Sequence, residues 1–468
     1  YKIRLADRVQ KHFYGNGAHT PTKTAARWER YVTDIDRAII AESARWGDHR
    51  RATPYTRDPE WLTEQNRLYT SYFPVRTNNV LNNLTLLTLD APTYLVGGSS
   101  QVEGLIPLGS TLTVTGSSTI YYTTDGSDPR LDGGAISPNA TAVNSGGTIP
   151  ISAGAIVKAR VRSGTSWSAV TDGTYFVGPI ADSTNIVISE IMYNPVGMDE
   201  NTEFIELLNV NGSHAIDLSL STFAGIDYTF PLGESLAPGE RIVIVKDLIV
   251  FATVYNTADM RIAPGDYRSR LSNDGEELAF INGLGADAQR FTYNDVDPWP
   301  RAADGDGFTL TLIAPEISPL HSLASNWRSS TALNGTPGGS DAKTFLGDPM
   351  ADADGDGLNA LLEYALGSTA GDAGPSPEAR ATLGTGTFDD GNGGTTEFLT
   401  FSYRRNLGAD DILYQVQLSS DLDNWADTGS EYVTSVSNED GTETVTIRSV
   451  TPIADLPKKF IRLKINLP

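Results

Sequence analysis

Short runs of residues rich in Val, Ile, Thr and Tyr, separated by turns rich in glycine and proline, dominate the sequence after residue 90. Runs such as "AIVKARVRSG" alternate apolar and polar residues, which is typical of a half-buried β-strand. The chain has 468 residues, which is too long for one compact core. The sequence therefore predicts a mainly β, multidomain fold with three β-sandwiches in series.

The charge is distributed unevenly along the chain, whose formal net charge is −23. Residues 1–89 hold 14 Lys and Arg against 9 Asp and Glu, whereas residues 90–468 hold 21 against 49. Binding to nucleic acid or to anionic lipid requires a basic face, which an acidic chain of this kind lacks. We therefore expect no nucleic-acid partner.

Two absences narrow the possible chemistry further. The sequence contains no cysteine, which excludes disulfides, thiolate metal sites and a cysteine nucleophile. No run of 18 apolar residues occurs, so no membrane span is predicted. The sandwiches must therefore be stabilised by their buried cores.

Residues 1–89 show helical periodicity in place of strand alternation. Thr20 suits a helix N-cap, Pro21 suits the first helical turn, and Gly47 ends the pattern. The apolar residues between them recur at spacings of three and four, namely Trp28, Val32, Ile35 and Ile39. We expect the apolar stripes of this helical head to pack on upstream sequence that is absent from this chain.

Three stretches of the head carry a family resemblance. "LADRVQKHFYGNGAHTP", "RWERYVTDIDRAIIAESARWGD" and "YFPVRTNNVLNNL" follow one another in the order found in the closing helices of the CotH family. CotH proteins are spore-coat-type protein kinases with an atypical kinase fold. The resemblance implies that residues 1–89 end such a domain, whose catalytic residues would lie upstream. It assigns no catalytic residue to this chain.

The β segments carry resemblances of their own. In residues 90–179, "YYTTDGSDP" resembles the fibronectin-like module at the C-terminal end of chitobiase-type hexosaminidases. In residues 185–341, "IVISEIMYNP", "EFIELLNV" and "LSNDGEELAFING" resemble the immunoglobulin-like lamin-tail domain of secreted bacterial proteins. We expect residues 326–341 to close this domain as a Gly/Ser/Pro linker, and residues 380–468 to form a last sandwich.

Residues 348–370, with the sequence "DADGDGLNALLEYALG" at their centre, have the spacing of a calcium loop followed by a short helix. A loop of EF-hand type needs oxygen ligands at positions 1, 3, 5, 7 and 12 and glycine at position 6. With Asp352 at position 1, the others in order are Asp354, Asp356, the carbonyl of Leu358 and Glu363, with Gly357 at position 6. The motif resembles thrombospondin type 3 and dockerin repeats, and the alternative is a solvated acidic linker.

A second acidic stretch, "RAADGDGFTLTLIA", provides an internal comparison. It shares Asp-Gly-Asp-Gly through Asp304 and Asp306, but Ala302 and Ile313 occupy positions 1 and 12. Only two carboxylates and a turn remain, so we interpret this copy as a β-turn. The comparison favours a calcium site from Asp352 to Glu363 over a solvated acidic linker.

Other candidate groups favour structural interpretations. Glu190, Glu203 and Glu206 could form a glycosidase carboxylate pair, but carboxylates on the wet face of a sandwich need no such role. His214 and His321 stand alone in predicted loops and are expected to be solvated.

These observations predict a secreted or cell-surface bacterial protein tail that acts in binding or adhesion, with a carbohydrate or surface protein as ligand and a structural Ca²⁺ site. No enzymatic activity is expected of this chain by itself. The alternative is the C-terminal portion of a CotH-like protein kinase whose catalytic residues lie upstream.

Overall fold

The computed structural model describes residues 1–84, 86–198, 200–368, 381–389, 394–455 and 460–467. The chain divides into two compact units, Tyr1–Gly178 and Pro179–Pro468. Helices are concentrated near the N-terminus and several β-sheets follow, so the predicted mainly β, multidomain fold with a helical head is confirmed. The predicted segment 348–370 ends with residues 369 and 370, which lie outside the described residues. The predicted segment 380–468 begins at residue 380, which also lies outside them.

The first unit opens with four α-helices. They are α1 Lys2–Phe13, α2 Pro21–Trp46, α3 Leu62–Arg67 and α4 Phe73–Leu81. As predicted, α2 follows Thr20, has proline in its first turn and ends just before Gly47. The side chain of Thr20 does not cap it, because its hydroxyl donates to the carbonyl of Gly17 at 2.8 Å. Its residues are all at least partly exposed, Ile35 for instance by 46%. In the described part of the chain, no helix combines the length and the hydropathy that a membrane crossing requires.

Helix α1 is attached to the sandwich that follows it in the same unit. Both carboxylate oxygens of Asp7 accept hydrogen bonds from Arg160, each at 2.8 Å. Arg160 is only 2% exposed and also pairs with Asp128, which lies in the "TDGSDP" turn. The helical head therefore has a partner within this chain, which the helical periodicity did not predict.

The sandwich of the first unit consists of ten strands. They are β1 Thr93–Val96, β2 Ser99–Ser100, β3 Gly104–Ile106, β4 Leu112–Thr115, β5 Thr119–Thr123, β6 Thr141–Val143, β7 Gly147–Ile149, β8 Ala155–Ser163, β9 Ser166–Trp167 and β10 Thr171–Val177. One sheet has the order β2-β1-β4-β7 and the other β3-β10-β8-β5-β6, with β9 beside β8. Their pairs are antiparallel except β3 with β10. Tyr94 and Tyr175, both fully buried, meet edge to face in the core between the sheets.

The second unit opens with eleven strands and a helix. They are β11 Ile186–Met192, β12 Phe204–Asn209, β13 Ile216–Asp217, β14 Thr222–Ala224, β15 Tyr228–Thr229, β16 Ser235–Leu236, β17 Arg241–Val245, α5 Leu248–Val254, β18 Glu276–Ile281, β19 Asp287–Tyr293, β20 Leu310–Leu312 and β21 Trp327–Ser329. A five-stranded sheet has the order β17-β12-β11-β20-β21, and a four-stranded sheet the order β15-β14-β18-β19. Ile188, Leu207 and Phe280 belong to the core that both sheets share.

The five-stranded sheet is covered on its other face as well. Met192, Phe204 and Val245 pack there against Phe251 of α5. Every residue of β11 and of β12 is consequently buried, although antiparallel sheets often leave one face in water. Because both faces of this sheet are covered, the carboxylates of Glu190 in β11 and Glu206 in β12 are buried as well.

In the rest of the second unit, the described residues form a short helix and six strands. They are α6 Ala360–Leu366, β22 Thr382–Asp389, β23 Thr395–Asn406, β24 Leu413–Ser419, β25 Ser430–Ser437, β26 Thr442–Pro452 and β27 Phe460–Asn466. The sheets have the orders β22-β23-β26-β25 and β24-β27. Phe401, Tyr403, Val445 and Ile447 form the core, against which half-buried Val416 of the second sheet packs.

Candidate metal centre

The loop before α6 gathers three of the predicted ligands. Asp352, Asp354 and Asp356 each offer a carboxylate oxygen, and these oxygens lie within 4.8 Å of one another. Gly355 and Gly357 allow the loop to turn tightly, because their φ angles are +76° and +92°. Residues that carry a side chain rarely adopt such positive φ angles. In the described part of the chain, this is the one group of three or more acidic or imidazole side chains spaced to share an ion.

Backbone amides hold the aspartates in place. Gly355 and Gly357 donate to the two carboxylate oxygens of Asp352, at 2.8 and 3.2 Å. The amides of Asp356 and Leu358 donate to the Oδ1 atoms of Asp354 and Asp356, at 3.2 and 2.7 Å. The loop is therefore organised around its own carboxylates, as a tight metal loop is.

Two acidic groups at the loop lie in surroundings that disfavour their charge. Asp354 Oδ2 is buried without a hydrogen bond. Glu363, the predicted ligand on α6, is only 3% exposed, and it lies outside the group that the three aspartates form. Burial raises the pKa of Glu363, and so do the charges of Asp354, Asp356 and Asp352. Since buried charge is stable only when it is compensated, a cation fits this set of hard oxygen donors.

Helix α6 positions Glu363. The helix begins at Ala360, because the side chain of Asn359 caps it by accepting a hydrogen bond from the amide of Leu362 at 3.0 Å. The amide of Ala360 donates to the carbonyl of Ala351 at 2.7 Å and so closes the loop on itself. Calcium binding by these side chains and by the carbonyl of Leu358 stays a prediction.

The internal comparison behaves differently. Asp304 accepts a hydrogen bond from Asn194 Nδ2 at 2.7 Å, so this carboxylate is satisfied by the protein itself. Asp304 and Asp306 belong to no group of three candidate ligands among the described residues. The second acidic stretch is thus a suitable control for the first.

The strand carboxylates Glu190 and Glu206 do not lie on a wet face, so that interpretation was wrong. They are 2% and 0% exposed and face each other across β11 and β12. Glu190 accepts from the amide of Thr336 at 2.9 Å, and Glu206 from the amide of Gly338 at 2.6 Å. Burial raises the pKa of both carboxyls. They anchor residues 336–338, which therefore do not form a free linker as predicted.

Two further groups are buried where exposure was expected. Glu203 is fully buried and accepts from Tyr267 Oη at 2.8 Å, and burial raises its pKa to about 7. His321 is 4% exposed and accepts from the amide of Ile188 at 3.0 Å, and burial lowers its pKa to about 4. His214 is exposed, as predicted. All three glutamates and His321 thus have structural partners.

A cleft in the second unit offers space for a ligand. It measures about 880 Å³ and lies between residues 301–333 and strand β25. Val196, Leu333 and Val436 line it with aliphatic surface that is 56–60% exposed. Its volume falls within the range of ligand pockets.

Comparison with known families identifies two domains. The family model of the Lamin Tail Domain matches residues 179–295, and that of the Fn3 associated family matches residues 111–175. No curated protein and no solved structure matches the chain. The likenesses to CotH-type kinases and to the chitobiase module, and the calcium assignment, stay predictions. The chain therefore carries an Fn3-associated domain followed by a lamin tail domain.

Proposed function

We propose that this chain is a modular binding protein of the bacterial exterior, in which a calcium ion held by the loop from Asp352 to Glu363 orders the C-terminal part of the second unit. The lamin tail and Fn3-associated families are non-catalytic, which supports a binding or structural role. The cleft beside β25 supports binding of a ligand, of which a carbohydrate or a surface protein is the expected class.

One observation carries the calcium assignment. The carboxylates of Asp352, Asp354 and Asp356 lie within 4.8 Å of one another, and Asp354 Oδ2 is buried without a hydrogen-bond partner among the described residues. Asp352, Asp354, Asp356 and Glu363 would supply the carboxylate oxygens, with Leu358 supplying a carbonyl and water the position of Ala360. A bound cation would neutralise the four acidic groups, which otherwise repel one another.

Calorimetric titration of the whole chain with CaCl₂ tests the assignment. We expect one site with a dissociation constant of about 10⁻⁴ to 10⁻³ M, the range of extracellular calcium modules. At about 10 mM Ca²⁺, this binding should stabilise the second unit by roughly 1.4–2.7 kcal/mol.

Two variants make the test specific. Asp354→Ala should abolish both the binding heat and the stabilisation, because it removes a central ligand. Asp306→Ala, in the second Asp-Gly-Asp-Gly stretch, should leave both unchanged. Absence of binding to the unaltered chain, or equal binding by both variants, would refute the calcium site.

The alternative kinase role rests on the resemblance of residues 1–89 to the CotH family. It is tested by incubating the whole chain with labelled ATP and Mg²⁺. The binding role predicts no phosphate transfer to itself or to added protein. Transfer that withstands repeated purification would favour the kinase.

A further inference from the structure

Within the second unit, a set of buried polar contacts joins the strand β21 to the sheets that follow α6. Arg328 of β21 is 2% exposed and donates to Asp341 at 2.6 Å and to Asp410 at 2.8 Å. Asp341 precedes the calcium loop, whereas Asp410 lies between β23 and β24. Both carboxylates are at least nine-tenths buried, so the three groups depend on one another for charge compensation.

Asp411 extends this set of contacts to α6. Its Oδ1 lies 2.7 Å from the hydroxyl of Tyr364, and its Oδ2 accepts from the amide of Phe345 at 2.6 Å. The amide of Lys343 donates to the carbonyl of Gly408 at 2.6 Å. We call the contacts among Arg328, Asp341, Lys343, Phe345, Tyr364, Gly408, Asp410 and Asp411 the junction.

The acidic loop and the junction meet in two consecutive residues of α6. Glu363 is buried beside the aspartates of the loop, and Tyr364 contacts Asp411 in the junction. The helix has seven residues, which is too short to be stable alone. Its position depends on its contacts at both sides, including Tyr414 Oη to the carbonyl of Ala365 at 2.7 Å.

We propose that calcium at the acidic loop and closure of the junction are coupled through α6, so that the ion controls how firmly the lamin tail domain is joined to the C-terminal sheets. This inference rests on the proposed calcium site. Repulsion among Asp352, Asp354, Asp356 and Glu363 loosens α6, and Tyr364 then loses its place beside Asp411. Neutralisation of these carboxylates fixes Glu363 and with it Tyr364.

Coupling of this kind is reciprocal, so damage to the junction weakens calcium binding. Tyr364→Phe removes the hydroxyl that contacts Asp411 without altering a predicted ligand. It should raise the calcium dissociation constant by about fivefold or more, the lower bound of typical coupling between sites. Tyr228→Phe is the matched control, since its hydroxyl donates to the carbonyl of Pro264 at 3.0 Å inside the lamin tail domain.

Hydrogen–deuterium exchange on the whole chain, with and without CaCl₂, measures how well the backbone amides of the junction are protected. The amides of Thr331, Lys343 and Phe345 donate hydrogen bonds to three residues of the junction, which are Asp341, Gly408 and Asp411. Their exchange should slow by about fivefold or more with calcium. The exchange of β5 and β8, in the first unit, should not change.

The outcomes separate the two proposals. No calcium binding by calorimetry refutes the calcium site. Calcium binding with unchanged exchange at Thr331, Lys343 and Phe345 refutes the coupling alone, and so does a Tyr364→Phe variant that binds calcium as tightly as Tyr228→Phe. Slower exchange together with weakened binding by Tyr364→Phe supports the coupling.

Discussion

At the scale of single residues, the second unit contains several titratable groups in environments that disfavour their charge. Glu190, Glu203 and Glu206 are buried carboxyls with raised pKa values, and His321 is a buried imidazole with a lowered pKa. Each accepts at least one hydrogen bond from the backbone. Their role is therefore to satisfy buried amides, as buried polar groups generally do.

His321 makes the stability of the second unit depend on pH. Burial lowers its pKa from 6.5 to about 4 in the folded chain, so the unfolded chain binds more protons between these values. The stability that the buried neutral imidazole of His321 contributes is fully present above pH 6.5 and is lost as the pH falls towards 4. We expect a loss of about 3 kcal/mol in the free energy of unfolding across this window.

Urea unfolding of His321→Gln at pH 7 and pH 4 checks this expectation. The variant should lose less stability than the unaltered chain between the two pH values, because glutamine does not titrate. His214→Gln, which replaces an exposed imidazole, should retain the full loss. Equal pH dependence in both variants would contradict the assignment to His321.

At the scale of elements, the segment between β21 and α6 is ordered by buried partners at several points. Glu190 and Glu206 hold the amides of Thr336 and Gly338, and Arg328 holds Asp341. A stretch rich in glycine and proline was expected to be a linker because it has little apolar surface to bury. It is fixed here because its backbone amides and Asp341 find buried polar partners.

Replacement of Arg328 should therefore be costly. Arg328→Met keeps much of the side-chain volume but leaves Asp341 and Asp410 buried without a cation, which should destabilise the second unit by about 3–5 kcal/mol. Arg290→Met is the control. Arg290 contacts Asp287 and Glu277 in two exposed ion pairs, so its replacement should hardly change the free energy of unfolding. Similar urea midpoints for the two variants would argue against a buried triad.

At the scale of the whole molecule, each compact unit has a core of its own. In the first unit, the core lies between the two sheets around Tyr94 and Tyr175. In the second, the largest core lies between the five-stranded and four-stranded sheets, with a smaller one in the C-terminal sheets. Each unit therefore buries enough apolar surface to fold as a domain.

Calorimetric melting of residues 179–468 alone tests this division. The shorter protein should unfold at the temperature of one transition of the whole chain, because its cores are complete. Calcium should raise only that transition, since the acidic loop belongs to the second unit. A shorter protein that fails to melt cooperatively would show that the unit is not independent.

The sequence by itself determined the local features. Thr20, Pro21 and Gly47 predicted the limits of α2, because the signals that mark helix ends lie within a few residues of those ends. Alternation predicted strands such as β8. The spacing from Asp352 to Asp356 brings three of the four predicted carboxylates together, since a tight loop gathers near neighbours, whereas Glu363 on α6 lies outside that group. These features depend on interactions between residues close in the chain.

Only the tertiary structure decided what covers each surface. Alternation alone places Glu190, two residues after Ile188, on the same face as Ile188. The register shift between these two residues instead pairs Glu190 with Glu206, on the face that α5 and residues 336–338 cover. The same limit applies to His321 beside β11 and to Asp7 beside Arg160. Burial depends on groups far apart in sequence, and a strand pattern records the two faces of a sheet without recording their neighbours.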